Sequence, residues 1–111
     1  MPQCIVIADE ITGGSAVGSM LEKNGNSVCS LMSARGLKDP ETAKYDCLVY
    51  STNSRNLTAL QSYQLVFSSA KLLKSDEVKL YAKRIDPAMR GNTCAETQAL
   101  LDALGDKDRV A

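Results

Sequence analysis

The sequence predicts an α/β fold, a three-layer αβα arrangement around a mostly parallel, Rossmann-like sheet of about four strands. Two observations predict it. Apolar, β-branched runs alternate with helical patterns of about ten or more residues, and that alternation implies right-handed crossovers between parallel strands. Three of the four apolar runs also end in polar turns. A parallel sheet gathers such turns on one edge, where open α/β sheets bind ligands.

Cys4-Ile5-Val6-Ile7-Ala8 is a continuous apolar run halted by Asp9-Glu10, the pattern of a strand buried on both faces. Gly13-Gly14-Ser15 leads into Val17, Met20 and Leu21 at helical spacing, and Asn24-Gly25 closes that helix. Residues 27–32 form a second strand candidate, followed by a polar loop over 33–44 that holds Pro40. Residues 45–50 read as the third strand and 51–56 as a polar turn. The longest helical pattern covers 58–74, with Ala59, Tyr63, Val66, Phe67, Ala70 and Leu73 on one face. A fourth strand is expected over 78–85, with Val78, Leu80 and Ala82 alternating. After a turn over 86–91, Thr93 and Glu96 stand at capping-box spacing. Leu100, Leu101 and Leu104 mark a third helix, ended by Gly105, and the tail over 106–111 is expected to fray.

The 111 residues are read as one domain, 1–111, with little room for a second core. Apolar residues make up 44% of the chain and charged residues 23%, as in ordinary soluble proteins. A formal net charge of zero gives no overall attraction for nucleic acid or an anionic membrane. Four Tyr, one Phe and no Trp leave few stacking platforms for single-stranded nucleic acid. No apolar stretch approaches the ~18 to 20 residues of a membrane-spanning helix. Met1-Pro2-Gln3-Cys4 carries no basic segment ahead of an apolar run, so a cytoplasmic protein is expected rather than a secreted one. Cys4, Cys29, Cys47 and Cys94 form no close pair, and the chain has no histidine. No metal site is expected from them; three of the four sit in apolar strand patterns and read as reduced core thiols.

The candidate chemistry lies in the polar turns. The first presents Asp9-Glu10-Ile11-Thr12-Gly13-Gly14-Ser15, the third Thr52-Asn53-Ser54-Arg55, and the fourth Lys83-Arg84-Ile85-Asp86, continued by Arg90-Gly91-Asn92. Two of these turns feed helix amino termini, whose free N–H groups and dipole favour an anion. Arg55, Lys83, Arg84 and Arg90 add positive charge, while Asp9, Glu10 and Asp86 can accept hydrogen bonds from hydroxyls. Strand alternation sends Lys83 and Arg84 to opposite faces, so at most one of them reaches a shared pocket. A small ligand carrying both a carboxylate and hydroxyls suits this mixture. Singly, each feature has a plainer reading. Gly13-Gly14 is no GxGxxG fingerprint and serves as a tight turn; Asp9-Glu10 ends a strand; Arg55 is an ordinary loop residue; Asn92 or Thr93 caps a helix. Only the gathering of three such turns raises them together.

Together these segments resemble a known set. Ile7-Ala8-Asp9-Glu10-Ile11-Thr12-Gly13-Gly14 is similar to the Ala-Asp-Asp-Leu-Thr-Gly-Ala signature of four-carbon acid sugar kinases. Ser51-Thr52-Asn53-Ser54-Arg55-Asn56-Leu57 resembles that family's Ser-Arg or Thr-Arg segment. Residues 83–92, Lys-Arg-Ile-Asp-Pro-Ala-Met-Arg-Gly-Asn, resemble its Lys-Lys-x-Asp-Ser-Thr-Leu-Arg-Gly-Asn segment. The resemblance implies an amino-terminal domain that holds a sugar acid such as threonate or erythronate. It also implies a separate carboxyl-terminal domain that brings ATP and magnesium, with the γ-phosphoryl group passing to a terminal hydroxyl. Carried over by motif, Asp9, Glu10, Thr12, Gly13, Arg55, Lys83, Asp86, Arg90, Gly91 and Asn92 line the sugar-acid site. No cofactor is expected within this chain, because the resemblance covers only about the first quarter of such a kinase. The chain departs from the pattern at Glu10 (Asp in the family), Gly14 (Ala), Ala16 (Asp) and Pro87-Ala88-Met89 (Ser-Thr-Leu).

The leading expectation is therefore the substrate-binding part of an ATP-dependent sugar-acid kinase, inactive without a nucleotide-binding domain. The alternative is a non-catalytic module that keeps the fold and associates with itself, covering an open sheet edge by forming a homodimer. A phospho-receiver domain needs an acidic acceptor where the third strand ends, and Leu48-Val49-Tyr50-Ser51 supplies none.

Overall fold

The structure, a computed structural model, describes residues 2–33, 35–36 and 39–105. The elements run β1 (Cys4–Ala8), α1 (Ile11–Lys23), β2 (Val28–Leu31), a 3₁₀ helix (Pro40–Lys44), β3 (Cys47–Ser51), α2 (Ala59–Leu73), β4 (Leu80–Arg84) and α3 (Thr93–Leu104). The sheet has the order β2-β3-β1-β4, and every neighbouring pair is parallel. The chain moves one way across the sheet through α1 and the other way through α2. Right-handed crossovers then require those helices on opposite faces, which produces the expected three layers. The tail at 106–111, expected to fray, lies outside the described residues.

Side-chain parity separates two faces. Ile5, Ile7 and Leu48 point toward Val66, Ala70 and Leu73 of α2 and Ala99, Leu100, Ala103 and Leu104 of α3, and this is the main core. α1 covers the other face, mainly over β3 and β2. Its buried residues are Gly14 and Gly18, not the expected apolar stripe, and Met20 is 65% exposed. A Cβ at Gly14 would lie 3.2 Å from Ala8 Cβ and 2.8 Å from Ser51 Oγ, so the helix seats its backbone directly on the sheet. Residues four apart share a helix face, and here that face is glycine.

Several expectations shift. The loop over 33–44 contains the 3₁₀ helix, started by Asp39, whose carboxylate accepts from the Glu41 N–H at 2.9 Å, with Pro40 next. The fourth strand is shorter than 78–85. Lys79 N and Leu80 N both donate to Gln3 O, so regular pairing begins only at Leu80. β4 is an edge strand beyond the reach of α1's centre, and Leu80 is 57% exposed. Thr93 and Glu96 form no capping box: Asn92 takes the cap position without a side-chain bond, and Glu96 is buried. A reciprocal box does form at the start of α2, between Thr58 and Gln61. Cys4 and Cys47 face each other across β1 and β3, where burial pushes both thiols up. Cys94, outside the strand patterns, is exposed in the first turn of α3.

Candidate functional site

The carboxyl ends of β1, β3 and β4 converge, and pairing continues past the strands through Thr52 N to Ala8 O and Ser54 N to Asp9 O, both 2.9 Å. Asn53 adopts a positive φ of 52° there, a conformation asparagine tolerates. The turn delivers Arg55 onto Asp9: Nε lies 3.2 Å from Oδ2 and Nη2 3.4 Å from Oδ1. The same Nη2 stands 3.4 Å from Asp86 Oδ1 and 3.9 Å from Glu10 Oε1. One guanidinium thus ties together three carboxylates, and its pKa rises in response, mainly through the bond to Asp9.

Asp86 organises the segment after β4. Its carboxylate accepts from Arg90 Nε at 3.0 Å, Arg90 Nη2 at 2.8 Å and the backbone N–H of Ala88 at 2.8 Å. The Arg90 side chain first, then the backbone N–H groups of Arg90 (3.3 Å) and Ala88, hold the Asp86 carboxyl well below the usual carboxylate range. The turn carries Met89 at φ 61° and Gly91 at φ 88°. At Gly91 the glycine is required twice over, because a Cβ would also lie 3.2 Å from Asp9 Oδ2 and 3.2 Å from Arg55 Cγ.

α1 begins earlier than the glycine pair suggested. Glu10 is its cap residue and accepts from the Gly13 N–H at 2.9 Å, so the chain's own carboxylate occupies that helix terminus. Thr12 and Gly13 lie in the first turn and face a cavity of about 270 Å³ lined by Asp9, Glu10, Thr12, Gly13, Ala16, Arg55, Arg84, Ile85, Asp86, Pro87 and Arg90. Seven of the ten residues expected at the site line this cavity: Asp9, Glu10, Thr12, Gly13, Arg55, Asp86 and Arg90.

The other three stand elsewhere. Gly91 backs the Asp9–Arg55 pair. Asn92 donates to Leu57 O at 2.7 Å and Ser62 Oγ at 2.8 Å, which fastens α3 to the start of α2. Lys83 pairs in register with Ile7, and Arg84 with Ala8, so the two part as strand alternation requires. Lys83 goes to the α2/α3 face, where its Nζ lies 3.1 Å from Glu96 Oε1. Glu96 Oε2 accepts from Ser54 Oγ at 2.9 Å; Ser54 Oγ meets Thr52 Oγ1 at 2.6 Å, and Thr52 Oγ1 donates to Ala8 O. It is Arg84 that enters the cavity. Matching residue parity with Ile7, a core residue, was the sequence signal that separates them.

A second cleft, about 480 Å³, runs between β4 and α3, lined in part by Leu80, Ile85, Leu100, Leu101 and Leu104. It lacks the convergent acids and arginines of the first.

A family described as "Sugar-binding N-terminal domain" matches residues 4–111. The chain is 31% identical over 107 residues to D-erythronate kinase of Heliobacterium modesticaldum, covering 95% of this chain and 24% of that protein. It is 33% identical over 100 residues to D-threonate kinase of Salmonella typhimurium, covering 89% and 23%. A crystal structure of a domain of unknown function from Bordetella bronchiseptica, a domain-swapped dimer with bound citrate, superposes with a TM-score of 0.83 at 26% identity. That match covers 92% of this chain and 26% of the solved one. The chain thus spans about a quarter of the length of these relatives.

Proposed function

The chain belongs to the family of sugar-binding N-terminal domains, and from that membership we propose that its cleft holds the sugar acid of a four-carbon acid sugar kinase. One observation carries the reading. Residues from three separate segments, Asp9 and Glu10, Arg55, and Asp86 with Arg90, surround a single cavity of about 270 Å³. That volume falls below the ~300 to 1,000 Å³ of sites for drug-sized ligands and suits a small, polar molecule. The carboxylates keep lone pairs for ligand hydroxyls, and the guanidinium groups complement an anion. Threonate and erythronate, the acids in the relatives' names, carry both groups.

ATP and magnesium belong, in this reading, to the remainder of a full-length kinase. Among the described residues no group of three or more His, Cys, Asp or Glu side chains is placed to hold a metal ion. Asp9 and Asp86 are already engaged by Arg55 and Arg90, so the residues present do not fit a magnesium–nucleotide site. The domain's part is to bind the acid and orient its hydroxyl, the positioning on which phosphoryl transfer depends. It works as one folding unit and needs a nucleotide-binding domain to close over the cleft. Among the described residues no helix is long and apolar enough to cross a membrane, and the reading places the protein in the cytoplasm.

The exposed Leu80 and the apolar cleft beside it favour a second reading, a non-catalytic module that pairs with its own copy along β4. A thermal-shift screen of the chain against threonate, erythronate and ATP separates the two. A ligand at 100 times its Kd stabilises a fold by ~2.7 kcal/mol, a rise of several degrees here. A rise with a sugar acid and none with ATP is expected. No rise with either acid, together with a dimer in sedimentation, would establish the second reading in its place.

A further inference from the structure

We propose that Arg84 is the specificity-determining residue of this cleft, the group that reads the carboxylate of the bound sugar acid. The inference rests on the sugar-acid reading above and assigns the job to a residue one position away from the expected Lys83. Three guanidinium groups line the cavity. Arg55 is held by Asp9, Asp86 and Glu10, and Arg90 by Asp86. Arg84 lines the same cavity with no carboxylate partner among the described residues, and its Nε is buried without any hydrogen-bond partner. A buried donor left unmatched in a folded protein calls for an explanation, and an anionic ligand supplies one.

The surroundings fit that use. The stem of Arg84 lies across the first turn of α1, where a Cβ at Gly13 would stand 3.2 Å from both its Cγ and its Nε. The Gly13 N–H itself is already taken by Glu10, so the helix terminus does not compete as the anion receptor. Lys83 is committed to Glu96 on the far face. Arg84 is thus the cation of this strand end that a ligand can reach, and the fork of its guanidinium matches a planar carboxylate. Asp9, Glu10 and Asp86, which line the same cavity, are left for the hydroxyls.

The test compares an acid with its neutral analogue by titration calorimetry on the full chain: threonate against threitol, and erythronate against erythritol. The wild type should prefer the acid by about 10- to 100-fold, the scale of a charge-assisted hydrogen bond. Arg84→Met should erase that preference and leave polyol binding unchanged, and Arg84→Lys should restore part of it. Two further variants keep the idea exposed to refutation if Arg84→Met fails to fold. Pro87→Asp sets a carboxylate on an exposed position of the same cavity wall and should weaken the acid alone. Gly13→Ala should raise helix stability yet lower acid affinity by displacing Arg84. Retention of the full preference by Arg84→Met, or by both other variants, would overturn the assignment and leave sugar-acid binding intact. A wild type that binds neither acid would remove both readings together.

Discussion

On the α2/α3 face of the sheet, Lys83, Glu96, Ser54 and Thr52 form a buried, charge-paired network; one residue further along β4, Arg84 opens onto a cleft of arginines and carboxylates. The two regions use the same residue types at the same strand ends. They differ in burial and in charge pairing. Glu96 is 1% exposed, ion-paired through Oε1 with Lys83 and hydrogen-bonded at Oε2 by Ser54, although Oε1 accepts no aligned hydrogen bond. Arg90 in the cleft is 68% exposed at its side chain, and Arg84 Nε is buried with neither a hydrogen bond nor a carboxylate beside it among the described residues. A buried ion pair ties α3 to the sheet; an exposed cluster with an unpaired guanidinium is open to a ligand. What a charged residue does at a strand end is decided by which face its parity gives it.

The largest effect is expected at Lys83. Lys83→Met leaves Glu96 buried with its charge uncompensated, and stability should fall by about 3 to 5 kcal/mol. Each kcal/mol is worth roughly 4 to 8 °C in a domain of this size, so the loss is large by thermal or urea melts. The double variant Lys83→Met/Glu96→Leu should recover most of it, because an apolar pair replaces a buried ion pair at little net cost. If Lys83→Met instead melted normally and lost ligand, Lys83 would belong to the cleft and the division between faces would collapse.

Ser54→Ala should act in the same direction with a smaller effect. It removes a fully buried hydroxyl that joins Thr52 to Glu96, and an unmatched buried acceptor costs about 1 to 3 kcal/mol. Acid-over-polyol preference should stay as in the wild type, since Ser54 faces away from the cavity. A changed preference would mean that the two regions are coupled through the sheet.

Much of this was legible in the sequence, for identifiable reasons. Cys4 to Ala8 and Cys47 to Ser51 sit at the sheet centre, buried almost throughout, so their continuous apolar runs announced them. β4 was overextended because Val78, although buried, precedes the ladder. The α1 stripe misled because a helix packed through Gly14 and Gly18 writes its buried face in residues without side chains. Glu96 imitated a cap because capping-box spacing says nothing of a lysine on a distant strand. Asp39-Pro40-Glu41 carries a helix-start signal inside the polar loop, a capping acid followed by proline. Seven expected site residues reached the cavity because three strand ends of a parallel sheet must meet. Lys83 did not, because motif similarity carries no parity.

The smallest effect near neutrality, and the one most specific to the cleft, concerns Asp86. Its folded carboxyl is held low by Arg90 and by two backbone donors, while in the unfolded chain it returns to about 3.9. The unfolded state therefore takes up the proton first, so the stabilisation is fully present above about pH 4 and is lost as pH falls toward the depressed folded value. Urea melts of the wild type and of Asp86→Asn at pH 7 and pH 3 should show the wild type losing more between the two. All other residues are the same in both proteins, so their contributions cancel in the difference. Equal losses would mean that Arg90, exposed as it is, does not hold Asp86 in solution. The turn over 86–91 would then be organised by its backbone bonds and by Gly91, and the cleft would be looser still than the network behind it.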